Sequence, residues 1–266
     1  MKPVAFVSIA TDRYLKFWVD LVQSARVHFS DEFEHHWYLF TDKKEEIPSE
    51  VLGALGERLH IFEIPHLEWP YPSLYRFRYI ANIVQEINQE IIAYVDADMS
   101  FVSDLTLNRA WFESSQYPLT FVRHPGFYRP SKSKFRFYLT HPRILLGDMR
   151  RFWIYGSQGA WETRESSVAF VPRVLRKYYY CGGFWFGSKL AIEKMCEELA
   201  SCVEVDEEHG VLAKYHDESH LNAYAVRQKH VSLEPSLCFD PSYPQLRKLK
   251  PILIAVDKNA GSKWVR

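Results

Sequence analysis

Two aspartates, Asp96 and Asp98, follow directly on the apolar run Ile91-Ile92-Ala93-Tyr94-Val95. Along an extended backbone residues i and i+2 project to the same face, so these two carboxylates are expected to aim together while Ala97 turns away. Paired carboxylates at the mouth of a buried strand form a hard-oxygen donor set. Such a set suits Mn²⁺ or Mg²⁺, with the remaining positions left to water and phosphate oxygens. A cation held there would neutralise a diphosphate leaving group. Short acidic triplets also occur in solvated loops, so the rest of the chain must supply the context.

Two further strings carry chemistry. His216-Asp217-Glu218-Ser219-His220-Leu221-Asn222 reads as the start of a helix running to about Arg227. Asp217 is placed to cap it, and Glu218 falls in the first turn, where the helix dipole favours an anion; routine acidic residues at a helix start read the same way. Tyr179-Tyr180-Cys181-Gly182-Gly183-Phe184 holds adjacent glycines. They either let backbone approach a ligand closely or serve a turn that needs positive φ.

The elements that position these strings alternate. Val4–Ala10 reads as a buried strand, and Tyr14–Phe29 as a helix opened by Thr11-Asp12, with Leu15, Trp18, Leu21, Val22 and Ala25 at helical spacing. Trp37–Phe40 and Leu59–Ile64 read as strands, with a helix from Pro48-Ser49 to Leu55 between them. A helix from Leu74 to Ile87 precedes the strand Ile91–Val95. Strand and helix in alternation imply a mainly parallel sheet covered on both faces. Ligands of such sheets bind beyond the carboxyl ends of the strands, which is where Asp96 and Asp98 fall. The second half is less regular and richer in aromatics, Pro and Gly. The basic, aromatic stretch from Ser131 to Ser157 reads as a surface excursion. The simplest organisation is one domain over 1–266, with a nucleotide-binding half (1–100) and an acceptor-side half with a C-terminal tail (101–266).

Composition narrows the classes. With 266 residues, 47% of them hydrophobic, the chain can bury a large core. Lys+Arg and Asp+Glu both number 33, so no global field exists to hold nucleic acid. Aromatic content of 16% suits either an aromatic core or rings that stack on sugar faces. Cys181, Cys196, Cys202 and Cys238 show no C-x-x-C and no zinc-like spacing with histidine, which points to free thiols in a reducing compartment. No apolar run approaches the roughly 20 residues of a membrane span, and no N-terminal signal is evident.

Taken together, Phe40-Thr41-Asp42, Trp69 with Ser73-x-x-Arg76, Asp96-Ala97-Asp98, His124-Pro125-Gly126-Phe127-Tyr128, the Tyr179–Phe184 string and the His216–Asn222 string resemble one family in type and order. It is the retaining α1,3-galactosyl/N-acetylgalactosaminyltransferases, which include the blood-group A and B enzymes. The resemblance runs over nearly the whole chain. It implies a single-domain, Rossmann-like α/β fold of the GT-A type. The activity implied is transfer of N-acetylgalactosamine or galactose from UDP in α1,3 linkage to a galactose-terminated acceptor, with or without fucose.

By that resemblance Asp96 and Asp98 hold Mn²⁺ (or Mg²⁺) against the UDP diphosphate. Tyr14 lies along uracil, with Ile9, Ala10 and Ala97 bordering the pocket. Arg76 contacts the donor sugar and Asp96. Trp69 sits under the donor side, although a core position is equally open. Glu218 is the central catalytic residue, either as nucleophile or as stabiliser of a short-lived oxocarbenium. Asp217 contacts donor hydroxyls, and His124 and Asp240 bind acceptor. Cys181 and Gly183 stand where the family tunes donor choice, with Gly182 among the donor-binding residues and Cys181 also among those that bind acceptor. A glycine at 183 leaves room for an N-acetyl group, which favours UDP-N-acetylgalactosamine. Lys258 and Arg266 match a phosphate-contacting pair in a basic tail. The stretch between Tyr128 and Trp161 is longer than in the vertebrate enzymes and reads as a surface insertion in preference to an acceptor-side flap. Without the anchor and stem of Golgi relatives, a bacterial or viral enzyme of the cytoplasm is expected. A UDP-sugar hydrolase and a catalytically silent glycan-binding module stay open as other readings.

Overall fold

The computed structural model describes residues 2–105, 118–130 and 134–257. Lys258 and Arg266 lie outside the described residues. The chain opens with β1 (Val4–Ile9), α1 (Tyr14–His28), β2 (His35–Thr41), α2 (Ser49–Leu55) and β3 (Leu59–Glu63). Two short helices, α3 (Tyr71–Leu74) and α4 (Arg76–Ile83), lead to β4 (Ile91–Val95), β5 (Met99–Phe101) and β6 (Leu119–Arg123). A helical pair, α5 (Lys134–Thr140) and α6 (Pro142–Tyr155), precedes β7 (Tyr180–Ser188), α7 (Lys189–Glu208) and α8 (His216–Ala225). Two short strands, β8 (Val231–Leu233) and β9 (Leu253–Ala255), complete the set.

Seven strands form one sheet in the order β3-β2-β1-β4-β7-β6-β8, and β5 pairs with β9 in a second. Strands β1 to β4 run parallel; β7 is antiparallel to both β4 and β6, and β8 is parallel to β6. The sheet is therefore mainly parallel, as the alternation implied. Its topological switch falls between β1 and β4, and a crevice forms there beyond the strand ends.

Period-2 alternation splits the core. Val4, Phe6, Trp37, Leu39, Ile91, Ala93 and Val95 face α1 and α2, against Trp18, Leu21 and Val51. Ala5, Val7, Tyr38, Phe40, Ile92 and Tyr94 face the other way, against Phe77 and Ile80 of α4 and Ile192 and Met195 of α7. Each buried aliphatic or aromatic side chain contributes roughly 1.5–3 kcal/mol, so register errors, which would exchange the two faces, are strongly disfavoured.

Three local expectations are corrected. Helix α1 has no side-chain cap: Asp12 adopts φ 48°, and its N–H donates to Asp42 Oδ1 at 2.9 Å. The continuous helix expected over 74–87 is broken at Tyr75 (φ −88°, ψ 6°) into α3 and α4, followed by a 3₁₀ turn at Val84–Glu86. Asp217 does not cap α8; its carboxylate is drawn inward to Arg76 instead. The stretch expected as a surface excursion does lie at the surface, and from residue 134 it folds into α5 and α6 with most side chains exposed.

Candidate active site

The site is built by matching register between β4, β7 and α8. Pairing of Tyr94 with Trp185 and Val95 with Phe184 sets Asp96 beside Gly183, whose carbonyl accepts from Asp96 N–H at 2.9 Å. On the other side of β7, the Asn222 amide completes the strand ladder. Asn222 Nδ2 donates to Tyr180 O (2.9 Å), and Tyr180 N–H donates to Asn222 Oδ1 (2.8 Å). Glu218 is one helical turn earlier than Asn222, and Gly182 is two residues after Tyr180. The same registration therefore brings Gly182 N–H to Glu218 Oε2 at 2.9 Å.

At the centre lies Arg76, 4% exposed. Its Nη2 is 3.3 Å from Asp96 Oδ1 and 3.3 Å from Asp217 Oδ2, Nη1 donates to Gly182 O at 2.8 Å, and Nε donates to Ser73 O at 3.0 Å. Its guanidinium lies 4.4 Å from the Tyr94 ring centroid, and the Tyr94 hydroxyl donates to Asp96 Oδ1 at 2.8 Å. Burial works against the Arg76 charge, but Asp217, Tyr94, Asp96 and Glu218 more than offset it and hold its pKa above the usual value. Burial pushes the carboxyls of Asp217 and Glu218 up, each to about 7; Arg76 opposes this for Asp217, and Gly182 N–H and the nearby Tyr179 hydroxyl oppose it for Glu218. One buried cation thus serves three neighbouring carboxylates, and the cluster would gain from further positive charge.

Glycines 182 and 183 are strand residues with no positive φ, so the turn reading falls away. Their role is room. A Cβ at 182 would lie 2.9 Å from Asp217 Oδ2, and one at 183 would lie 2.9 Å from Asp96 Oδ2.

Asp96, Ala97 and Asp98 line a cavity of about 450 Å³ with Ile9, Tyr14, Trp69 and Tyr94, within the usual range for small-ligand sites. The two aspartates reach it from the turn between β4 and β5 and not from an extended strand. Thr11, Asp12, Arg13 and His66 line the cavity as well. Asp42 joins that rim, accepting from Asp12 N–H and pairing with His66 Nδ1 at 2.6 Å. Ala10 is fully buried in the core and does not border the cavity, because its N–H continues the ladder to Phe40 O. Trp69 is 74% exposed, with its ring 4.6 Å from that of His216, which removes the core alternative.

His124 packs against Phe127 at 4.7 Å and accepts from Gly126 N–H at 3.0 Å. Burial lowers its pKa to about 4, with Arg151 adding to the effect and Asp240 opposing it. Asp240 and His124 are therefore neighbours, and Cys181 lies buried beside Cys238. All four cysteines are free thiols.

Lower pH should expose a second buried histidine. His220 is 1% exposed, with Nε2 3.4 Å from Asp206 Oδ2, and burial lowers its pKa to about 4 against the pull of Asp206 and Glu162. A folded-state value below the ordinary 6.5 means that the unfolded chain binds the proton more readily. The stabilising contribution is complete above pH 6.5 and is lost as pH falls toward 4. Asp217 and Glu218, raised above their ordinary values, act in the opposite sense, so the informative quantity is a difference between proteins. Between pH 7 and 5, His220→Gln should gain urea stability relative to the parent. Parallel pH profiles would contradict this.

The chemistry of the donor set fits a divalent cation. Asp96 and Asp98 offer hard oxygens into the cavity, and no group of three His, Cys, Asp or Glu that could hold a metal forms among the described residues. Two carboxylates alone leave positions open for diphosphate oxygens, as in sites that bind Mg²⁺ together with a phosphorylated substrate. Sequence alone does not single out Tyr94, Tyr179 and Asn222, although Tyr94 precedes Asp96 by two residues at the end of β4 and Asn222 is i+4 from Glu218 on one helix.

A mainly parallel α/β sheet with a carboxylate-lined cavity at its switch point, and with a buried acid cluster beside it, defines the class: a glycosyltransferase of the GT-A type. The chain belongs to glycosyltransferase family 6, whose family model matches residues 3–142 and 144–266. It is 26% identical to the histo-blood group ABO system transferase 1 of Rattus norvegicus over 264 residues, which is 96% of this chain and 67% of the relative. It is 27% identical to the globoside alpha-1,3-N-acetylgalactosaminyltransferase 1 of Canis lupus familiaris, covering 99% of this chain and 68% of that one. It is 22% identical to the O-antigen biosynthesis glycosyltransferase WbnI of Escherichia coli, covering 92% and 91%. No helix among the described residues is long and apolar enough to cross a membrane.

Proposed function

We propose that the protein is a retaining transferase that moves N-acetylgalactosamine, or secondarily galactose, from UDP to O3 of a terminal galactoside. Asp96 and Asp98 would hold Mn²⁺ (or Mg²⁺) in the cavity. The observation that supports this best is the register-locked cluster in which Glu218, Asp217, Arg76 and Asp96 converge beside a cavity of nucleotide-sugar size. A bound divalent ion would supply countercharge to the departing diphosphate. Arg76, fixed by Gly182 O and two carboxylates, orients Asp96 and Asp217 toward the donor sugar. As the bond from the anomeric carbon to the diphosphate breaks, its electron pair leaves with UDP and positive charge develops on the sugar. Glu218 is anchored through Oε2, so its other oxygen can meet that charge. A buried carboxylate short of countercharge gains more from a cationic transition state than from a neutral ground state. The acceptor hydroxyl would enter from the His124–Asp240 side. Lys258 and Arg266 are proposed to contact the diphosphate. A panel of UDP-sugars against galactosides with and without α1,2-fucose, with linkages read by NMR, tests the reading. Release of free sugar with every acceptor would replace it with hydrolysis.

The donor reading gives a sharp outcome at Gly183. The resemblance implies that alanine there suits galactose. Here the added Cβ meets an Asp96 carboxylate already held by Tyr94 and Arg76. Gly183→Ala should therefore lower transfer from both donors by about tenfold, roughly 1.4 kcal/mol, and raise the Mn²⁺ concentration needed for half-maximal rate. Initial rates at varied Mn²⁺ check it; a simple gain with UDP-galactose at unchanged Mn²⁺ demand would refute the steric argument.

A further inference from the structure

Within the segment between β6 and β7, the α5–α6 pair presents a surface that lies outside the donor cavity. Residues 118–161 contain one acid, Asp148, and it is consumed internally. Arg129 Nε and Nη2 each donate to it at 2.6 Å, the Tyr138 hydroxyl at 2.7 Å and Arg151 Nη1 at 3.3 Å. This buried knot fixes α5 to α6 and turns Tyr138 and Asp148 inward. The outward faces are apolar. Leu146, Met149 and Trp153 of α6 recur at three- and four-residue spacing, a single stripe, and are 66%, 61% and 82% exposed. Phe135 and Leu139, one turn apart on α5, are 77% and 66% exposed. Lys134 and Arg136 on α5, with Arg143 and Arg150 on α6, stand exposed among them.

We infer that the α5–α6 pair docks the protein onto an anionic phospholipid surface. The pattern demands a partner that is apolar and negatively charged at once. A second copy of the same face would bring cations against cations, with no carboxylate left to answer them. A bilayer interface rich in acidic headgroups meets both demands: Trp, Phe and Leu enter the acyl boundary, and each Lys or Arg near the surface adds about 1 kcal/mol. The position of the pair also fits. The Arg151 guanidinium lies 5.2 Å from the Phe127 ring, which packs on His124. Arg129 and Lys134 line a cavity of about 220 Å³ with Phe127 and Tyr179. Docking there would set the acceptor side of the site against the membrane; that orientation rests on the proposed function, whereas binding itself does not.

The test is co-sedimentation of the full chain with phosphatidylcholine vesicles, with and without phosphatidylglycerol. Binding is expected only with phosphatidylglycerol and should weaken as salt rises. Leu146→Ser/Trp153→Ser and, separately, Arg143→Ser/Arg150→Ser should each cut it by about tenfold or more while leaving the melting temperature near that of the parent. Brominated lipid should quench tryptophan fluorescence in the parent and less in Trp153→Phe. Absence of binding at low salt, equal binding to neutral vesicles, or a dimer in sedimentation velocity that the same substitutions dissolve would each overturn the inference. Because the readout is lipid binding, its failure leaves the transfer reading untouched.

Discussion

Glu218→Gln should reduce glycosyl transfer by about 1,000-fold, close to 4 kcal/mol of transition-state stabilisation, while UDP affinity stays within about twofold of the parent. The substitution keeps the shape of the side chain and an oxygen to accept from Gly182 N–H. The Asn222–Tyr180 clamp that positions α8 is untouched, so the donor cavity persists. What is lost is the negative charge facing the anomeric carbon. The removed interaction is one made chiefly in the transition state, so kcat should fall with little change in KM for donor. Calorimetry of UDP binding beside steady-state transfer separates the two quantities. Turnover within tenfold of the parent would remove Glu218 from its role.

The same residue shows what the sequence could and could not reveal. Its place on a helix start was legible because acid residues, helical spacing and the string around it agree. Its partners were not, because Gly182 N–H becomes a donor to Glu218 only through the packing of β7 on α8, a contact 36 residues apart in the chain. The parallel half of the sheet was legible from strongly apolar strands alternating with amphipathic helices. The helix break at Tyr75 was not, since Tyr carries no backbone signal of the kind Gly or Pro gives. Asp217 illustrates the competing principle. Local chemistry offers it to the helix N-terminus, but a buried Arg76 is a stronger electrostatic partner than backbone N–H groups. The paired glycines read from sequence either as a close approach to ligand or as a turn, yet they are strand residues that make space for two carboxylates. Space of that kind is a property of tertiary contact. Ala10 was placed at the cavity by its neighbours in sequence, and strand alternation turns it into the core.

Removing divalent cations should abolish most transfer, by about 100-fold or more, and Mn²⁺ should restore it. Asp98 gives the cleaner residue test. Asp96→Asn would also strip Arg76 and the Tyr94 hydroxyl of a shared partner, and leaving a buried cation short of countercharge is destabilising in its own right. Asp98→Asn leaves the Arg76 contacts to Asp96 and Asp217 in place and weakens the donor set. A readout apart from turnover comes from linkage. A ligand that binds only the folded protein raises the melting temperature in proportion to RT ln(1 + [L]/Kd). UDP should therefore stabilise the parent strongly with Mn²⁺ present and weakly after chelation, and Asp98→Asn should lose most of the difference. If UDP stabilises the chelated parent as much as the Mn²⁺-loaded one, the two aspartates do not hold a cation against the diphosphate. The charge of the leaving group would then have to be met by Arg76 and other basic side chains.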